Sequence, residues 1–185
     1  MPTNNRYILV RSFTICLLAI LTGMAASAQS PKPPRPLDYP IETKYDRFDN
    51  KTSIILKYTR VQGETRDSLD MALLTAYEGE KLTAPIKDVA LSIASTSSDW
   101  RYLRGSRTLR VIADGERINL GEMERRNSTV GRGYVMEFMG VFISSDTLRK
   151  IANSKKVEMQ LGSIEFELSK EMLGYMKDFA ALLNP

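Results

Sequence analysis

Histidine is absent from the 185-residue chain, and cysteine occurs once, at Cys16. Cys16 lies in an N-terminal segment that we expect to be removed, so the mature chain has neither an imidazole nor a thiol. This excludes disulfides, a thiol nucleophile and an imidazole base. Zinc, copper, haem and iron–sulfur centres depend on His or Cys ligands. The sequence therefore predicts no metal site, no cofactor and no ordinary set of catalytic residues.

The chain also lacks an N-terminal apolar run long enough to cross a bilayer comfortably, because residues 13–21 are too few. This run follows Arg6 and Arg11 and precedes a small-residue cleavage motif at 26–28. The pattern is typical of a secretory signal peptide over residues 1–28. We therefore expect a periplasmic or secreted protein with no transmembrane span after cleavage. A retained N-terminal anchor is the alternative.

A large charge imbalance is missing as well. The formal net charge of +4 falls to +2 once Arg6 and Arg11 leave with the signal peptide, which is too little to indicate nucleic-acid binding. Proline is concentrated in residues 29–40, which predicts an extended linker. Residues 41–185 remain for a single β-rich globular domain. The apolar fraction of 43% allows such a domain a core without disulfides.

The clearest strand pattern lies at residues 157–168. Apolar and polar residues alternate on both sides of Gly162 and Ser163, as in two strands with one buried face. A Gly-X pair suits a two-residue II′ turn, which would pair Leu161 with Ile164. In that register all the apolar side chains share one face. They are Val157, Met159, Leu161, Ile164, Phe166 and Leu168.

Two short helices are predicted in the C-terminal half. The first begins at Ser144 or Ser145 and ends near residues 153–154. The second is capped by Ser169 and carries an apolar stripe at helical spacing, which should dock on a sheet. The first helix presents Leu148, Ile151 and Ala152, and the stripe of the second consists of Met172, Leu173, Met176, Phe179, Ala180 and Leu183.

The first half of the domain is predicted to be strands joined by loops. Residues 51–61, 69–77 and 89–93 alternate or are apolar on both faces, and 62–68 is a polar loop. For residues 69–77 a short buried helix is the rival prediction, because a brief apolar run suits either. In the first of these strands, Ile54, Leu56 and Tyr58 are expected on one face and Ile55 and Val61 on the other.

The second half adds a hairpin and a long apolar strand. Asp114-Gly115 between alternating runs predicts a type I′ turn. Residues 121–133 are charged and glycine-containing, which predicts an exposed loop. Residues 134–143 are apolar on both faces, so this strand should be central and covered on both sides. The order of elements predicts an α+β domain of mainly antiparallel strands, sandwich-like or strongly curved, with the two short helices packing on it.

One aromatic and cationic segment is the candidate ligand-binding site. Its residues are Trp100, Arg101, Tyr102, Arg104 and Arg107. Arginine beside aromatic rings can bind an anionic glycan or lipid by charge and stacking. The alternative, which we favour, is that Trp100 and Tyr102 pack into the core while the arginines are solvated or ion-paired. Both interpretations are open from the sequence.

A group of carboxylates is the alternative candidate site. Glu165 and Glu167 alternate on one strand, and Glu158 lies on its partner. Two carboxyl groups at a defined separation can hydrolyse a glycosidic bond. On the outer face of a hairpin the same residues also protect an edge and improve solubility. We favour the second role, and hydrolysis is the alternative.

Several structural motifs together resemble an uncharacterised group of bacterial exported proteins with β-rich domains. The similar segments are 151–153, 156–168, 98–102 and the hairpin at 113–115. The resemblance implies a bacterial source and a periplasmic location, and it brings no activity. We therefore expect a non-catalytic binding or interaction module of the cell envelope, whose partner is an envelope protein or an anionic glycan or lipid. The alternative is a carboxylate-dependent hydrolase acting on envelope or extracellular glycans.

Overall fold

The computed structural model describes residues 39–131 and 133–185, so the predicted signal peptide and most of the predicted linker lie outside the described residues. Within these ranges the chain forms ten strands and two helices. The strands are β1 (Ile41–Asp46), β2 (Lys51–Glu64), β3 (Asp67–Glu78), β4 (Asp88–Ser97), β5 (Thr108–Ala113), β6 (Glu116–Glu122), β7 (Glu124–Gly131), β8 (Tyr134–Ser144), β9 (Val157–Leu161) and β10 (Ile164–Glu167). The helices are α1 (Ser145–Asn153) and α2 (Lys170–Ala181).

The strands of the described ranges pair antiparallel in two sheets. The six-stranded sheet has the order β1-β2-β3-β4-β8-β7, and the four-stranded sheet has the order β10-β9-β5-β6. Apolar side chains from both sheets and both helices form one buried cluster. The predicted fold class, α+β and mainly antiparallel with two helices in the C-terminal half, is confirmed.

The C-terminal hairpin has the predicted register. Leu161 and Ile164 are Cα partners, and Met159 faces Phe166. Gly162 has a positive φ of 59°, as the first position of a II′ turn requires. A β-carbon at Gly162 would lie 2.5 Å from the carbonyl oxygen of Ser106, so glycine also allows this turn to pack closely on the β4–β5 loop.

Both helices begin and pack as predicted. The side chains of Ser144 and Ser169 accept the backbone N–H groups of Thr147 and Met172, each at 3.1 Å, and so cap α1 and α2. The predicted apolar stripes are buried on both helices. The two helices contact each other, with α1 also on β4 and β8 and α2 on β2. Neither described helix is long and apolar enough to cross a membrane.

The β5–β6 turn is the predicted type I′ hairpin, and its first residue has a second role. Asp114 and Gly115 both have positive φ, at 49° and 89°. The Asp114 carboxylate accepts the backbone N–H groups of Lys155 and Lys156 at 2.9–3.1 Å. These hydrogen bonds lower the pKa of Asp114 below its usual 3.8, and the bond from Lys156 has the largest effect. One side chain thus joins the β5–β6 turn to the start of β9.

Replacing Asp114 by asparagine is expected to lower the melting temperature at neutral pH. Because the folded-state pKa of Asp114 is depressed, its contribution is present above about pH 4 and is lost as the pH falls through the folded pKa. The difference in melting temperature between wild type and Asp114→Asn should therefore disappear at low pH. Thermal denaturation from pH 7 to pH 2 measures this, with Asp49→Asn as a surface control. A gap that does not change with pH would contradict the assignment.

The prediction of an exposed loop at residues 121–133 is wrong. β6 continues to Glu122, the chain bends at the fully buried Met123, and β7 pairs with β8. β7 lies at the sheet edge, where both faces are largely exposed to solvent. Its sequence is therefore rich in charged residues and does not alternate between apolar and polar ones. At Met123 the chain passes from the four-stranded sheet to the six-stranded sheet. The predicted loop at 62–68 is likewise shortened to a tight turn, because β2 reaches Glu64 and β3 begins at Asp67.

Tyr58 does not lie on the face predicted for it. The pairing register with β3 shifts between Leu56 and Thr59, which adds one residue to β2. Such a β-bulge reverses the alternation that the sequence suggests. Ile54 and Leu56 are therefore buried, whereas Tyr58 is 47% exposed. The prediction that Val61 shares the face of Ile55 is wrong for the same reason, because Val61 packs against the core, and a second shift between Arg60 and Gln62 brings Gln62 opposite Leu69.

The prediction that β8 is covered on both faces is also wrong. β8 lies inside the sheet between β4 and β7, as expected. Its inner residues Met139 and Ile143 are buried, but Phe142, which points the other way, is 65% exposed. Among the described residues no second layer covers this outer face of the six-stranded sheet.

Candidate functional site

A buried carboxylate anchors the loop that carries the predicted ligand-binding residues, residues 98–107. Glu137 of β8 is fully buried and is the charged residue within the apolar run 134–143. Its carboxylate accepts the backbone N–H of Arg101 at 2.9 Å and that of Tyr102 at 3.1 Å. Buried charge is tolerated only when it is satisfied in this way. Glu137 therefore fixes the middle of the loop against the six-stranded sheet.

A cleft of about 720 Å³ opens beside this loop. Three segments form its walls: the β4–β5 loop, the β9–β10 turn, and the β2–β3 hairpin end. The close approach of Gly162 to Ser106 joins two of these walls. The cleft is lined by Gln62, Asp67, Arg101, Tyr102, Gly105, Ser106, Gly162, Ser163 and Ile164.

Two of the lining residues carry polar atoms without a partner. The hydroxyl of Tyr102 and Oε1 of Gln62 are buried and have no hydrogen-bond partner among the described residues. Tyr102 is 3% exposed, and burial raises its pKa to about 12, so its hydroxyl is a neutral donor at physiological pH. Buried polar groups in proteins are nearly always paired. Each of these two oxygens therefore lacks the hydrogen bond that a water molecule or a ligand hydroxyl reaching it would supply.

Three polar side chains, interrupted by Leu69, lie in one row across the inner face of the six-stranded sheet, and the row begins at the cleft residue Gln62. Gln62, Leu69, Ser95 and Glu137 are direct neighbours across β2, β3, β4 and β8. Oγ of Ser95 is also buried without a partner. The inner face of the six-stranded sheet therefore mixes polar and apolar residues at this end, whereas its centre is apolar.

Arg101 lies at the rim of the cleft and is already paired. Its guanidinium donates to the Asp67 carboxylate at 2.8 Å. This hydrogen bond lowers the pKa of Asp67 and raises that of Arg101. Arg101 and Asp67 neutralise each other, and Glu137 beneath the loop adds a further negative charge near Arg101. An anion would therefore have to displace Asp67 to use Arg101.

The structure places the other predicted residues around the cleft, not in it. Trp100 is 38% exposed and does not line the cleft. Arg104 is exposed and has no acidic partner among the described residues. Arg107 is occupied: its guanidinium donates to the carbonyl oxygens of Tyr102 at 2.9 Å and Met123 at 3.1 Å. Only Arg101 and Tyr102 of the five predicted residues meet in the cleft.

The three candidate carboxylates line a different cavity, of about 620 Å³, on the outer face of the four-stranded sheet. The ammonium group of Lys156 lies 3.0 Å from Glu158 and 3.8 Å from Glu167. The amide of Gln160 donates to Glu165 at 2.8 Å. Each acid therefore has a neutralising or hydrogen-bonding partner on an open sheet face.

Sequence reasoning missed Gln62, Asp67 and Glu137. Gln62 and Asp67 fell in a predicted polar loop, where nothing distinguished them. Glu137 had a usable signal, because it is the charged residue in an otherwise apolar strand. A lone acid in such a strand indicates a buried partner, which here is the backbone of the β4–β5 loop.

Comparison with known protein families, curated proteins and solved structures yields no match for this chain.

Proposed function

We propose that this chain is a non-catalytic binding domain of the bacterial cell envelope, exported by its N-terminal segment, and that it binds its ligand in the cleft beside Tyr102. The observation that carries the proposal is the pair of unpartnered oxygens, Tyr102 Oη and Gln62 Oε1, which belong to two residues that line a polar cleft. Folding leaves such atoms unpaired at a cost of about 1–3 kcal/mol each, and a ligand recovers it.

A glycan fits this cleft best. Its hydroxyl groups both donate and accept, so they can satisfy the Tyr102 hydroxyl and the Gln62 oxygen together. Charge at the cleft itself is balanced by Arg101 and Asp67, so the bound ring is neutral there. Arg104 lies beside the lining residue Gly105 and has no acidic partner among the described residues, so an acidic substituent would pair with it. The proposed ligand is therefore an acidic glycan.

We propose binding in preference to hydrolysis. Glycoside hydrolysis needs one carboxyl group that is free to give a proton and one that is free to attack or to activate water. Glu158 and Glu167 share Lys156, and Glu165 is bonded to Gln160. These contacts are what a charge-balanced outer sheet face requires.

Replacing Tyr102 by phenylalanine separates ligand binding from stability. The lost hydroxyl has no partner in the fold, so we expect the free energy of unfolding to stay the same or rise by up to about 1 kcal/mol. Binding of uronate oligosaccharides should weaken about tenfold, the equivalent of one hydrogen bond to ligand. Urea denaturation and isothermal titration calorimetry measure the two quantities on the same sample.

A matched pair of arginine variants tests the proposed contact between Arg104 and an acidic substituent of the glycan. Arg104→Ala should weaken uronate binding and reduce its salt dependence, whereas Arg117→Ala, which makes the same charge change on β6, should not. Matched neutral oligosaccharides should bind Arg104→Ala and wild type equally. Undiminished uronate binding by both Tyr102→Phe and Arg104→Ala would show that the cleft is not the site.

A further inference from the structure

The outer face of the six-stranded sheet carries an exposed apolar row. Ile55, Leu74, Ala90 and Phe142 are direct neighbours across β2, β3, β4 and β8. Leu74 is 45% exposed and Phe142 is 65% exposed. Isolated apolar residues on a surface are ordinary, but a contiguous row across four strands marks an interaction surface.

Beside this row runs a groove of about 570 Å³ with a floor of small residues. Ala72, Ser92 and Gly140 form the floor, because they are neighbours across β3, β4 and β8. Tyr58 stands on the far side and packs edge-on against Phe138, with ring centroids 6.0 Å apart. The groove therefore lies between two bulky walls and crosses the strands.

Two β-bulges build the groove. The register shift in β2 turns Tyr58 to the outer face, and a second shift between Arg125 and Asn127 lets Arg126 of β7 reach over Phe142. The guanidinium carbon of Arg126 is 6.0 Å from the centre of the Phe142 ring. Bulges re-aim side chains without altering the rest of a strand.

The groove needs no polar ligand. The hydroxyls of Tyr58 and Ser92 are 2.7 Å apart, and Ser92 donates to the carbonyl oxygen of Met139 at 3.1 Å. The polar atoms of the floor and wall are thus satisfied internally. What the surface offers to a partner is hydrocarbon and aromatic area, whose burial is the main source of binding energy.

We propose that this face is the contact surface between two copies of the chain. Each margin of the groove carries one acid and one base: Lys57 with Glu42 at 3.1 Å on the β1–β2 side, and Arg126 with Glu124 at 3.2 Å on β7. The charges cancel within each of these two pairs, so neither pair favours an acidic or a basic partner. A two-fold axis parallel to the strands places each margin over the opposite one of the second copy, where every acid meets a base.

The size of the face fits the same partner. Six strands about 4.8 Å apart and about ten residues long present roughly 800 Å². This is about the area that each subunit contributes to a standard-size interface. Two sheets can pack face to face about 10 Å apart at an angle near 30°. Such packing would cover Leu74, Phe142 and Tyr58, which the described part of one chain leaves exposed.

Sedimentation equilibrium of the purified mature chain tests the proposal. We expect a reversible dimer in the micromolar range. Leu74→Arg and Phe142→Arg should each raise the dissociation constant at least a hundredfold, because each buries a charge in the apolar row. Val130→Arg is the control, since Val130 is 66% exposed but is paired with Val135 of the inner face. A monomer at 200 µM, or a dimer that all three variants retain, would overturn the proposal.

A crosslinking variant covers the case in which an arginine prevents folding. Leu74 lies on β3 next to the proposed axis, and the mature chain has no cysteine once the segment holding Cys16 is removed. Leu74→Cys should be joined into a covalent dimer by a short bis-maleimide crosslinker, which spans the spacing of about 10 Å between packed sheets that a disulfide does not reach, whereas Val130→Cys should not. Equal crosslinking of the two variants would exclude the face, and native mass spectrometry showing a bound lipid on a monomer would assign the groove to a different occupant.

Discussion

Replacing Glu137 by alanine is expected to lower the free energy of unfolding by about 3 kcal/mol. The variant removes the acceptor of two backbone N–H groups, those of Arg101 and Tyr102, and leaves both without a partner. A hydrogen bond to a charged group contributes about 1.5–3 kcal/mol, and a buried unpaired donor is costly in its own right. The loss should appear both in global stability and in the position of the β4–β5 loop.

Fluorescence and urea denaturation measure the two effects together. Trp100 is the sole tryptophan, and it lies in this loop, so its emission reports on the loop directly. Glu137→Gln keeps one oxygen, which can accept both N–H groups, and should cost about 1 kcal/mol. Glu165→Ala removes an exposed acid and should change stability by less than about 0.5 kcal/mol. If Glu137→Ala matched Glu165→Ala, the loop would not depend on the buried carboxylate.

Replacing Phe179 by alanine is expected to cost about 3–5 kcal/mol. Phe179 is fully buried on α2 and is among the largest such side chains. The substitution loses the transfer energy of the ring and leaves a cavity between α2, α1 and β2, which cannot collapse completely. For a domain of this size that is a large part of the total stability.

Urea denaturation of Phe179→Ala and Lys177→Ala tests this helix with matched variants. Lys177 lies two residues earlier on the exposed side of α2, so its replacement should change stability by less than about 0.5 kcal/mol. Phe179→Leu fills most of the cavity and should lose less than Phe179→Ala. A loss under 1 kcal/mol for Phe179→Ala would mean that α2 contributes little to the core.

Elements whose local signals agree were predictable from the sequence. In the 157–168 hairpin the II′ turn and the alternation specify the same register, and the structure has that register. Ser144 and Ser169 precede apolar stripes and cap both helices. In each case the residues that decide the structure are within a few positions of one another, so no tertiary contact is needed to interpret them.

Features that depend on distant partners were not predictable. β7 has charged residues because it is an edge strand, and only its pairing with β8 makes it a strand. The side that Tyr58 faces is set by a bulge, which period-two counting does not detect. The cleft brings together residues from three separate segments, so Arg101 and Tyr102 were found from their local composition, whereas Gln62 and Asp67 became visible only in the fold.

The order of strands in the four-stranded sheet has a consequence for how the chain assembles. β5 and β6 follow one another in the chain, but the neighbour of β5 on its other side is β9. In the pairing of β5 with β9, Leu109 faces Leu161. Until residue 161 is available, one side of β5 presents unpaired N–H and C=O groups to any other strand. A chain that emerges N-terminus first must therefore wait for β9 before this edge is closed, and non-local pairing of this kind is slow. A truncation upstream of β9 would remove the closing strand together with α2 and leave an aggregation-prone intermediate as its end state.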